Sequence, residues 1–469
     1  MNNSIQQFNE IGARKIGEVI KNFLKDKKDI GDLILGIQEN LYELGRNIVQ
    51  ETLEDMDEYI RDLGVRKNNW EVVRKDPNCL LTSFGEVHYE RTYYKPKKGG
   101  YRKYLVDDIS GIRPHDRTTS DVDIRVIEEA IETSYAKSGR EATYVDEISR
   151  QTVMNKLREI GIVEPEIKVN EKKKLKKLFI EVDEDHVTVL NKNKKECGMP
   201  MLVYVHEGKE CVSKKRNRII NPRYFGGYIQ KAEEIWLNVC RYIENVYDTE
   251  YIERIYISGD GATWVKTGLN WIPKSKFVLD KYHLSKYIVK ATSHVDEKYK
   301  TQLEDAIAWP DKEAARRVFA EILEESETEA KEDAVLDCRR YILNQWDGIE
   351  IRGEFGQEIV GCSAEGHVSH VYSDRLSSRP KVWSRVGLEQ MTKLLIYKEN
   401  GGKIYDLVMY QREKERKEQK HQIQDEQITK LRNSLGSKNY MWDITPTAID
   451  VGRKTRLYMG LKNLIGISG

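Results

Sequence analysis

Three acidic residues occur in sequence contexts that suit metal-dependent chemistry on phosphate esters. They are Asp183 in the apolar run FIEVD, Asp260 in RIYISGDG, and Glu365 in GCSAEGHVSH. Cleavage of a phosphodiester by this route requires hard oxygen ligands that hold two magnesium ions roughly 4 Å apart, one at the attacking oxygen and one at the leaving oxygen. Carboxylates from separate segments of a chain can supply those ligands when the fold brings the segments together.

The context of Asp260 favours a functional role. This residue ends a strand-like run and lies between Gly259 and Gly261. Glycine on either side permits close approach of the backbone, and an acid at the end of a buried strand suits a metal or substrate site. The alternative is that Asp260 only caps a turn in the sequence SGDG.

The first acid has competitors on its own strand. Successive side chains of a strand point to opposite faces, so Glu181, Asp183 and Asp185 share one face while Ile180 and Val182 share the other. Asp183 is the preferred candidate because it follows the apolar run directly. Asp185 remains a rival for the same role, or a supporting residue beside it.

An α/β layer is expected to carry these acids. The segments LFIEVDEDHVTVL, MPMLVYVHEG and RIYISGDG have the apolar composition of strands, and YIQKAEEIWLNVCRYIENVYD, before the last of them, has helical spacing. Beyond Asp280 the pattern is helical as far as about Trp346. A helical insertion is therefore predicted between Asp260 and Glu365.

The segment around Glu365 combines this acid with histidines and arginines. If a helix begins near Ala364, Glu365 lies in its first turn, and Arg375 and Arg379 follow where they could bind phosphates. Taken alone, the segment is equally consistent with an ordinary polar loop.

The first 160 residues are predicted to be mainly helical, with a small β element. Apolar residues from Ile30 to Ile48 recur at helical spacing, whereas residues 79–104 are rich in β-branched and aromatic residues and are broken by Pro96. This composition predicts a hairpin or a short meander. A helix with a Ser/Thr start and a second helix opened by Ser149 follow.

These last two helices resemble a helix-turn-helix. The second helix could carry Arg150, Gln151 and Asn155 into the major groove of DNA. Any two packed helices produce the same pattern, so simple packing is an equal alternative.

Basic residues are clustered although 78 basic and 77 acidic residues give a net charge of only +1. The clusters are EKKKLKK at 171–177, which contains Lys172, Lys173 and Lys174, KKRNR at 214–218, and QREKERKEQKHQ at 411–422. Each cluster alone is most simply a solvated surface. Together they favour contact with a phosphate backbone.

Other classes of protein are disfavoured. The chain has neither an apolar run of about 18 residues nor a secretory signal pattern, which predicts a cytoplasmic protein without a membrane partner. Its six cysteines include no C-x-x-C pair, which argues against a zinc ribbon and a disulfide framework.

Several motifs resemble those of one family of mobile-element enzymes. IEVDEDHV, ISGDGATWVK, FVLDKYHL and CSAEGHVSHVYSDRLSSRPKVWS are similar in content and order to motifs of the Lre-type bacterial insertion-sequence transposases, distant kin of the Mutator-type transposases. The resemblance runs through most of the chain, including FGEVHYERTYY and SYAKSG, and the last motif is the most specific.

The resemblance implies an α/β RNase H-like catalytic core with an all-helical insertion, plus a mainly helical N-terminal DNA-binding region with a small β element. It also implies an Asp-Asp-Glu triad of Asp183, Asp260 and Glu365 that holds two Mg²⁺ ions, for which Mn²⁺ can substitute. Asp280 and His283 in DKYH resemble a D-x-x-H element, which would organise the core or contact DNA; a structural histidine is the alternative.

Seven segments are predicted from these patterns. They are an N-terminal helical module (1–75), a small β element (76–115), a helix-turn-helix-like DNA-binding segment (116–170), the first part of the core (171–285), the helical insertion (286–355), the Glu-bearing helical part of the core (356–435) and a C-terminal segment (436–469).

The expected function is Mg²⁺-dependent cleavage of DNA at the ends of an insertion sequence, followed by strand transfer into target DNA. The partners would be the terminal inverted repeats, recognised mainly by residues 1–160, the target DNA, and further copies of the chain in a homodimer or larger synaptic assembly. Alternatives are an RNase H-like nuclease without strand transfer, and a catalytically silent DNA-binding protein. A glycosidase with two carboxylates would leave the basic clusters unexplained.

Overall fold

The computed structural model describes residues 2–25, 29–163, 167, 169–192, 194–213, 216–379, 381–418, 429, 430 and 433. The chain divides into two compact units, one drawn from residues 1–156 and 408–469 and the other from residues 157–407. Parts of two basic clusters, residues 214–215 and 419–422, and the predicted segment 436–469 lie outside the described residues. Within the described part, no helix is both long enough and apolar enough to cross a membrane.

The first unit consists of helices around a β hairpin. Its first four helices are α1 (Asn2–Gln7), α2 (Ala13–Lys25), α3 (Ile30–Asp62) and α4 (Gly64–Asn69), with a π-helical turn at Phe8–Gly12. Its strands are β1 (Trp70–Thr82), β2 (Gly85–Pro96) and β3 (Lys103–Tyr104). The next helices are α5 (Leu105–Ser110), α6 (Ser120–Glu132), α7 (Tyr135–Arg140) and α8 (Arg150–Glu159), the last of which crosses the boundary between the units.

The helix and hairpin predicted for this region are confirmed. Helix α3 begins where Asp29 accepts a 2.7 Å hydrogen bond from the backbone N–H of Gly31, and it continues to Asp62, within the predicted helical module. Strands β1 and β2 pair antiparallel along their whole length. The hairpin starts at Trp70, earlier than predicted, because this fully buried side chain belongs to the core that α3 shares with the hairpin.

The two helices of the predicted helix-turn-helix are also present. Helix α8 begins after Ser149, whose hydroxyl accepts a 3.1 Å hydrogen bond from the backbone N–H of Thr152. The first predicted helix is divided, because α6 ends at Glu132 and its predicted last residues form a short separate helix, α7. Val126 on α6 and Val153 on α8 are fully buried.

The described residues of the second unit form ten strands. They are β4 (Lys177–Glu184), β5 (Val187–Asn191), β6 (Lys194–Gly198), β7 (Met201–His206), β8 (Lys209–Ser213), β9 (Arg216–Ile219), β10 (Arg223–Gly227), β11 (Arg254–Gly259), β12 (Ser275–Leu279) and β13 (Trp383–Ser384).

Helices surround these strands. They are α9 (Ala232–Val246), α10 (Thr263–Lys266), α11 (Gly268–Trp271), α12 (Lys281–Thr292), α13 (Glu297–Ala308), α14 (Lys312–Glu324), α15 (Glu329–Asn344), α16 (Trp346–Phe355), α17 (Ala364–Val368), α18 (Asp374–Leu376) and α19 (Arg385–Glu399). A π-helical turn, Ser369–Ser373, joins α17 to α18, and a final helix, α20 (Ile404–Glu418), crosses the unit boundary.

A five-stranded mixed sheet organises this unit. Its strand order is β10-β7-β4-β11-β12. Strands β10, β7 and β4 pair antiparallel, whereas β4, β11 and β12 pair parallel. The carboxyl ends of β4, β11 and β12 therefore meet at one edge of the sheet.

The two faces of the sheet confirm the alternation predicted for β4. Ile180 and Val182 belong to the large core that includes Trp236 of α9. Phe179 belongs to a separate cluster on the other face, against which Phe355 of α16 packs. Glu181 and Asp183 follow Phe179 at intervals of two, so they share its face.

Helices α12 to α16 occupy residues 281–355, the region where the helical insertion is predicted. Their inward side chains, among them Leu303, Phe319 and Ile342, are fully buried and join the same core as Ile180 and Val182. The insertion is thus packed onto the sheet unit rather than separate from it.

Candidate active site

The parallel pairing of β4 and β11 brings the first two candidate acids together. Glu181 is paired with Ser258 in this register. Asp183 and Asp260 each follow this pair by two residues, so both lie at the same edge of the sheet. Asp183 is the penultimate residue of β4, and Asp260 directly follows β11.

The electrostatics of Asp183 reflect this proximity. Burial raises the pKa of Asp183 to about 6, and the charges of Asp260 and Glu184 add to the rise. The backbone N–H of Glu184, which donates a 2.9 Å hydrogen bond to Asp183, and the charge of His283 oppose it. Two acids are therefore held near each other in a half-buried setting that disfavours the ionised form of Asp183.

A further acid, Asp280, lies at the end of the third parallel strand. It follows β12, and its backbone N–H donates a 2.9 Å hydrogen bond to the carbonyl of Gly259. Its buried carboxylate accepts a 3.3 Å hydrogen bond from the backbone N–H of Tyr282 and so caps α12. Asp183, Asp260 and Asp280 thus follow one another along a single sheet edge.

His283 supplies positive charge at this edge. Its Nδ1 lies 3.3 Å from Oδ2 of Asp280, within ion-pair distance but not in hydrogen-bond alignment. The contact with Asp280 and the charges of Asp183 and Asp260 raise the pKa of His283, against the effect of burial. This histidine is therefore a counter-charge to three carboxylates.

Glu365 lies beside the same group. Helix α17 begins at Ala364, which is one of the two alternatives that the sequence left open, and the Glu365 side chain is exposed in its first turn. The charge of Glu365, together with a hydrogen bond to it, raises the pKa of Tyr282, the neighbour of His283. Glu365 is thus adjacent to the helix that Asp280 caps.

The three predicted acids are close without forming a tight three-ligand cluster. Among the described residues, the carboxylate oxygens of Asp183, Asp260 and Glu365 do not all lie within 4.8 Å of one another. A pair of ions roughly 4 Å apart is held by ligands that span a longer distance than a single ion requires. Shared coordination of two ions by these acids stays a prediction.

The rivals of Asp183 are engaged elsewhere. Asp185 lies beyond β4, where both of its carboxylate oxygens accept hydrogen bonds from the hydroxyl of Ser377, at 3.0 and 2.9 Å. Glu181 is buried and hydrogen-bonded to Ser363. The charge of Asp260 contributes to the raised pKa of Asp183, which lies free of these contacts with Ser377 and Ser363.

The helical insertion fastens the turn that carries Asp260. The hydroxyl of Tyr341, on α15, donates a 2.6 Å hydrogen bond to the carbonyl of Asp260. The side-chain amide of Gln345 donates a 2.9 Å hydrogen bond to the carbonyl of Gly261. Neither contact is evident from the sequence, because no local pattern links residues more than 80 positions apart.

The residues predicted to contact DNA on α8 are accessible. Arg150, Gln151 and Asn155 are exposed, while Val153 and Leu157 on the opposite side are buried. The amide of Gln151 donates a 3.0 Å hydrogen bond to the side chain of Asn155. The exposed face could meet a groove, and its role in DNA binding remains a prediction.

The lysines of the first basic cluster differ in their surroundings. Lys172, Lys173 and Lys174 are all exposed. Nζ of Lys173 lies 2.5 Å from a carboxylate oxygen of Glu207, so part of its charge is already compensated. Lys172 and Lys174 are the better candidates for phosphate contact.

The two arginines after Glu365 also differ. Arg375 is only 5% exposed, and its guanidinium lies 4.9 Å from the ring centroid of Trp383. This buried position, which the sequence did not predict, favours a packing role for Arg375. Arg379 is exposed and can reach a phosphate.

A separate group of possible metal ligands lies on the hairpin of the first unit. Among the described residues, Cys79, Glu86 and His88 are the group of three whose ligand atoms lie within 4.8 Å of one another. Burial, with the charges of Glu86 and Asp146, raises the pKa of the Cys79 thiol, which favours the protonated form. Since Glu86 and His88 are exposed on a strand surface, we assign no function to this group.

Comparison with known proteins assigns the chain to a family. The model of an uncharacterised protein family, UPF0236, matches residues 23–420. The chain belongs to UPF0236. A UPF0236 protein of Caldanaerobacter subterraneus subsp. tengcongensis is 41% identical over 453 residues, which cover 96% of each chain.

Two further relatives show how UPF0236 is distributed. Another protein of the same Caldanaerobacter strain is 40% identical over 453 residues, 96% of this chain and 95% of the relative, and its name joins eleven locus designations. UPF0236 therefore has many copies in one genome. A Streptococcus gallolyticus relative, called "UPF0236 protein in vanSb 3'region", is 24% identical over 402 residues, 81% of this chain and 86% of the relative.

The raised pKa of Asp183 predicts an unusual pH dependence of stability in the absence of metal. An acid whose pKa is higher in the folded chain than in the unfolded chain stabilises the fold at any pH below its pKa in the unfolded chain. This stabilisation is lost as the pH rises through the pKa of the folded chain, here between about pH 4 and about pH 6. In EDTA at pH 7.5 we expect Asp183→Asn to be more stable than the unaltered chain by about 2 kcal/mol, and at pH 4 by almost nothing.

Urea unfolding followed by tryptophan fluorescence at the two pH values measures this difference. Asp305→Asn, an exposed aspartate on α13, is the matched control and should leave the difference near zero at both pH values. Equal stability of Asp183→Asn and the unaltered chain at pH 7.5 would contradict the crowding of Asp183 against Asp260.

Proposed function

We propose that this UPF0236 chain is an insertion-sequence transposase that cleaves DNA at element ends and transfers the freed strand into target DNA. One observation carries the proposal: Asp183 and Asp260 lie side by side at the ends of neighbouring parallel strands, and burial and the charge of Asp260 raise the pKa of Asp183. Paired acids of this kind at a sheet edge are a recurrent setting for catalysis.

Other features support the same proposal. The mixed five-stranded sheet, interrupted by helices between Asp260 and Glu365, is compatible with the RNase H-like core that the motif resemblance implies. Many copies of UPF0236 genes in one genome are consistent with a mobile element. A cytoplasmic, nucleoid-associated location follows from the proposal, since DNA is its substrate.

The donor set fits a hard divalent cation. Asp183, Asp260 and Glu365 offer only carboxylate oxygens, the ligands that Mg²⁺ prefers, and Mn²⁺ accepts the same set. When bound, two such ions supply activation of the attacking oxygen and neutralisation of charge at the leaving oxygen. The half-buried setting of Asp183 beside Asp260 favours a cation there, because a cation relieves the repulsion between the two acids, whereas a protonated His283 would compete with the cation.

The protein residues then act mainly by binding and orientation. Asp183 and Asp260 would bind the ions from the edge of the sheet, and Glu365 would bind them from α17. Exposed basic residues, including Lys172, Lys174 and Arg379, would hold phosphates of the substrate and make binding sensitive to salt. Holding the phosphodiester in line with the attacking hydroxyl supplies much of the rate enhancement.

The partners of this activity are DNA and further copies of the chain. Residues 1–160, with the exposed face of α8, are proposed to recognise the terminal inverted repeats. Two element ends have to be joined in one reaction, so a homodimer or larger synaptic assembly is proposed.

The test is a cleavage and strand-transfer assay on labelled duplexes that contain the ends of the element flanking the gene. We expect strand cleavage and joined products with Mg²⁺ or Mn²⁺, and neither in EDTA. Cleavage without joined products would favour an RNase H-like nuclease. Binding without cleavage under any metal condition would favour a catalytically silent DNA-binding protein and would refute the proposal.

A further inference from the structure

The carboxylate of Glu181 is the centre of a buried polar cluster that the proposed reaction does not use. Glu181 is 1% exposed. Its oxygens are surrounded by five donors. These donors are Nε2 of His206 at 3.2 Å, Nζ of Lys209 at 2.9 Å, the backbone N–H of Ser363 at 2.6 Å, the hydroxyl of Ser363 at 2.9 Å and the hydroxyl of Tyr204. Burial of a charged carboxylate is costly unless it is paired and hydrogen-bonded, and here both conditions are met.

The charge of this carboxylate is maintained by its neighbours. Nζ of Lys209 lies 2.9 Å from Oε1 of Glu181, and Nε2 of His206 lies 3.2 Å from the same oxygen. An ionised carboxylate accepts hydrogen bonds only, which matches the five donors around it. Its hydrogen bonds are of the stronger, charge-assisted kind.

The cluster joins two parts of the candidate site that are far apart in the sequence. Glu181 precedes Asp183 by two residues on β4, and Ser363 precedes Glu365 by two residues at the start of α17. Lys209 reinforces the junction, since its Nζ donates to the hydroxyl of Ser363 at 3.0 Å and also to the carbonyl of Gly361.

The part of α17 that follows Glu365 is held by two tyrosines, one of which also contacts Glu181. His367 on α17 places its Nδ1 2.9 Å from the hydroxyl of Tyr224, and its ring lies 4.6 Å from that of Tyr204 between centroids. Helix α17 is therefore fixed to the sheet both before and after Glu365. A five-residue helix has little stability of its own, so these contacts determine where Glu365 lies.

We propose that Glu181 is a positioning residue that sets the separation between Asp183 and Glu365 by anchoring Ser363 to β4. Glu181 itself contacts neither the ions nor DNA. The catalytic part of this inference rests on the proposed function, whereas the anchoring part does not.

The chain contains a reporter for the anchor, because Cys362 lies beside Ser363. Burial raises the pKa of the Cys362 thiol well above its usual range, so the thiol should react slowly while the segment is anchored. Cys338 on α15 is fully buried in the core and reports unfolding of the whole unit. Alkylation of each cysteine can be followed by peptide mass spectrometry on the full chain without DNA or metal.

We expect Glu181→Gln to accelerate iodoacetamide labelling of Cys362 about tenfold or more and to leave labelling of Cys338 unchanged. Glutamine preserves the size of the side chain but removes the charge that pairs with Lys209. Ser363→Ala, which removes one of the two contacts from Ser363, should act in the same direction by a smaller factor. Glu233→Gln, an exposed residue on α9, is the matched control and should change neither cysteine.

The same variants also test the catalytic part. Cleavage by Glu181→Gln should fall by about 10²-fold, with DNA binding retained and the Mg²⁺ concentration for half-maximal rate increased, because the reacting groups are displaced by about 1 Å. Unchanged labelling of Cys362 would overturn the anchor. Equal acceleration at Cys338 would overturn a positioning role in favour of general stability, and so would full cleavage activity in Glu181→Gln.

These outcomes separate the two proposals. If the unaltered chain cleaves no DNA, the proposed function fails, while the labelling of Cys362 still decides whether Glu181 anchors the segment before α17.

Discussion

Asp260→Asn is expected to lower the rate of Mg²⁺-dependent DNA cleavage by about 10⁴-fold, the scale on which removal of one member of a catalytic unit acts. The amide has nearly the same size as the carboxylate but offers one oxygen without charge. It can still accept the 2.9 Å hydrogen bond that the backbone N–H of Ala262 donates to Asp260. The turn should therefore be preserved while the attraction for a cation is lost. Single-turnover cleavage of labelled element-end DNA measures the effect.

Matched substitutions make this result specific. Glu365→Gln should also lose most activity, because Glu365 is the remaining acid of the proposed triad. Asp185→Asn should lose less than about tenfold, since Asp185 is bound to Ser377 rather than facing Asp260. Asp305→Asn should not change the rate. Full activity in Asp260→Asn, or a loss in Asp185→Asn as large as in Asp260→Asn, would reject the assignment of the acids.

Gly261→Ala is expected to reduce cleavage by about 10²-fold even though no acid is removed. Gly261 has φ +85°, a conformation that side chains with Cβ rarely adopt, and an added Cβ would lie 2.4 Å from Cδ of Gln345. The turn must shift to relieve this contact, and the carboxylate of Asp260 shifts with it. The left-handed conformation also costs roughly 1–2 kcal/mol of stability. Cleavage rate and urea unfolding measure the two effects.

A second glycine provides the control. A Cβ added at Gly17 on α2 would have no heavy atom within 4 Å. Gly17→Ala should therefore leave cleavage unchanged and stabilise α2 by up to about 1 kcal/mol, since alanine is the better helix former. If Gly261→Ala cleaves DNA as fast as Gly17→Ala does, the position of Asp260 does not depend on this turn.

Local patterns in the sequence were sufficient to predict much of the fold. The alternation in FIEVD correctly separated Phe179 from Ile180, because a strand between two packed layers needs apolar side chains on both faces. The hairpin within residues 79–104 and the helix opened by Ser149 were likewise predicted from local signals, whereas the helix beginning at Ala364 was one of two alternatives that the local sequence left open. The proximity of Asp183 and Asp260 was expected from the motifs and agrees with the observed register.

The remaining features depend on contacts between distant segments. The anchor between Glu181 and Ser363 joins residues 182 positions apart, and nothing near either residue indicates the other. The buried position of Arg375 depends in part on Trp383, and the partial neutralisation of Lys173 depends on Glu207. The sequence does offer one hint, since Glu181 shares a strand face with Asp183 and a buried acid there needs donors.

The anchor between Glu181 and Ser363 also limits how early during translation the proposed reaction centre can form. Strand β4 is translated long before Ser363, and the bond between them cannot form until the helical insertion and the segment after it have been synthesised. Contacts of such long sequence separation form late in folding. A chain truncated before residue 363 should therefore lack the anchor, and the proposed reaction centre would be complete only after Glu365 has been synthesised.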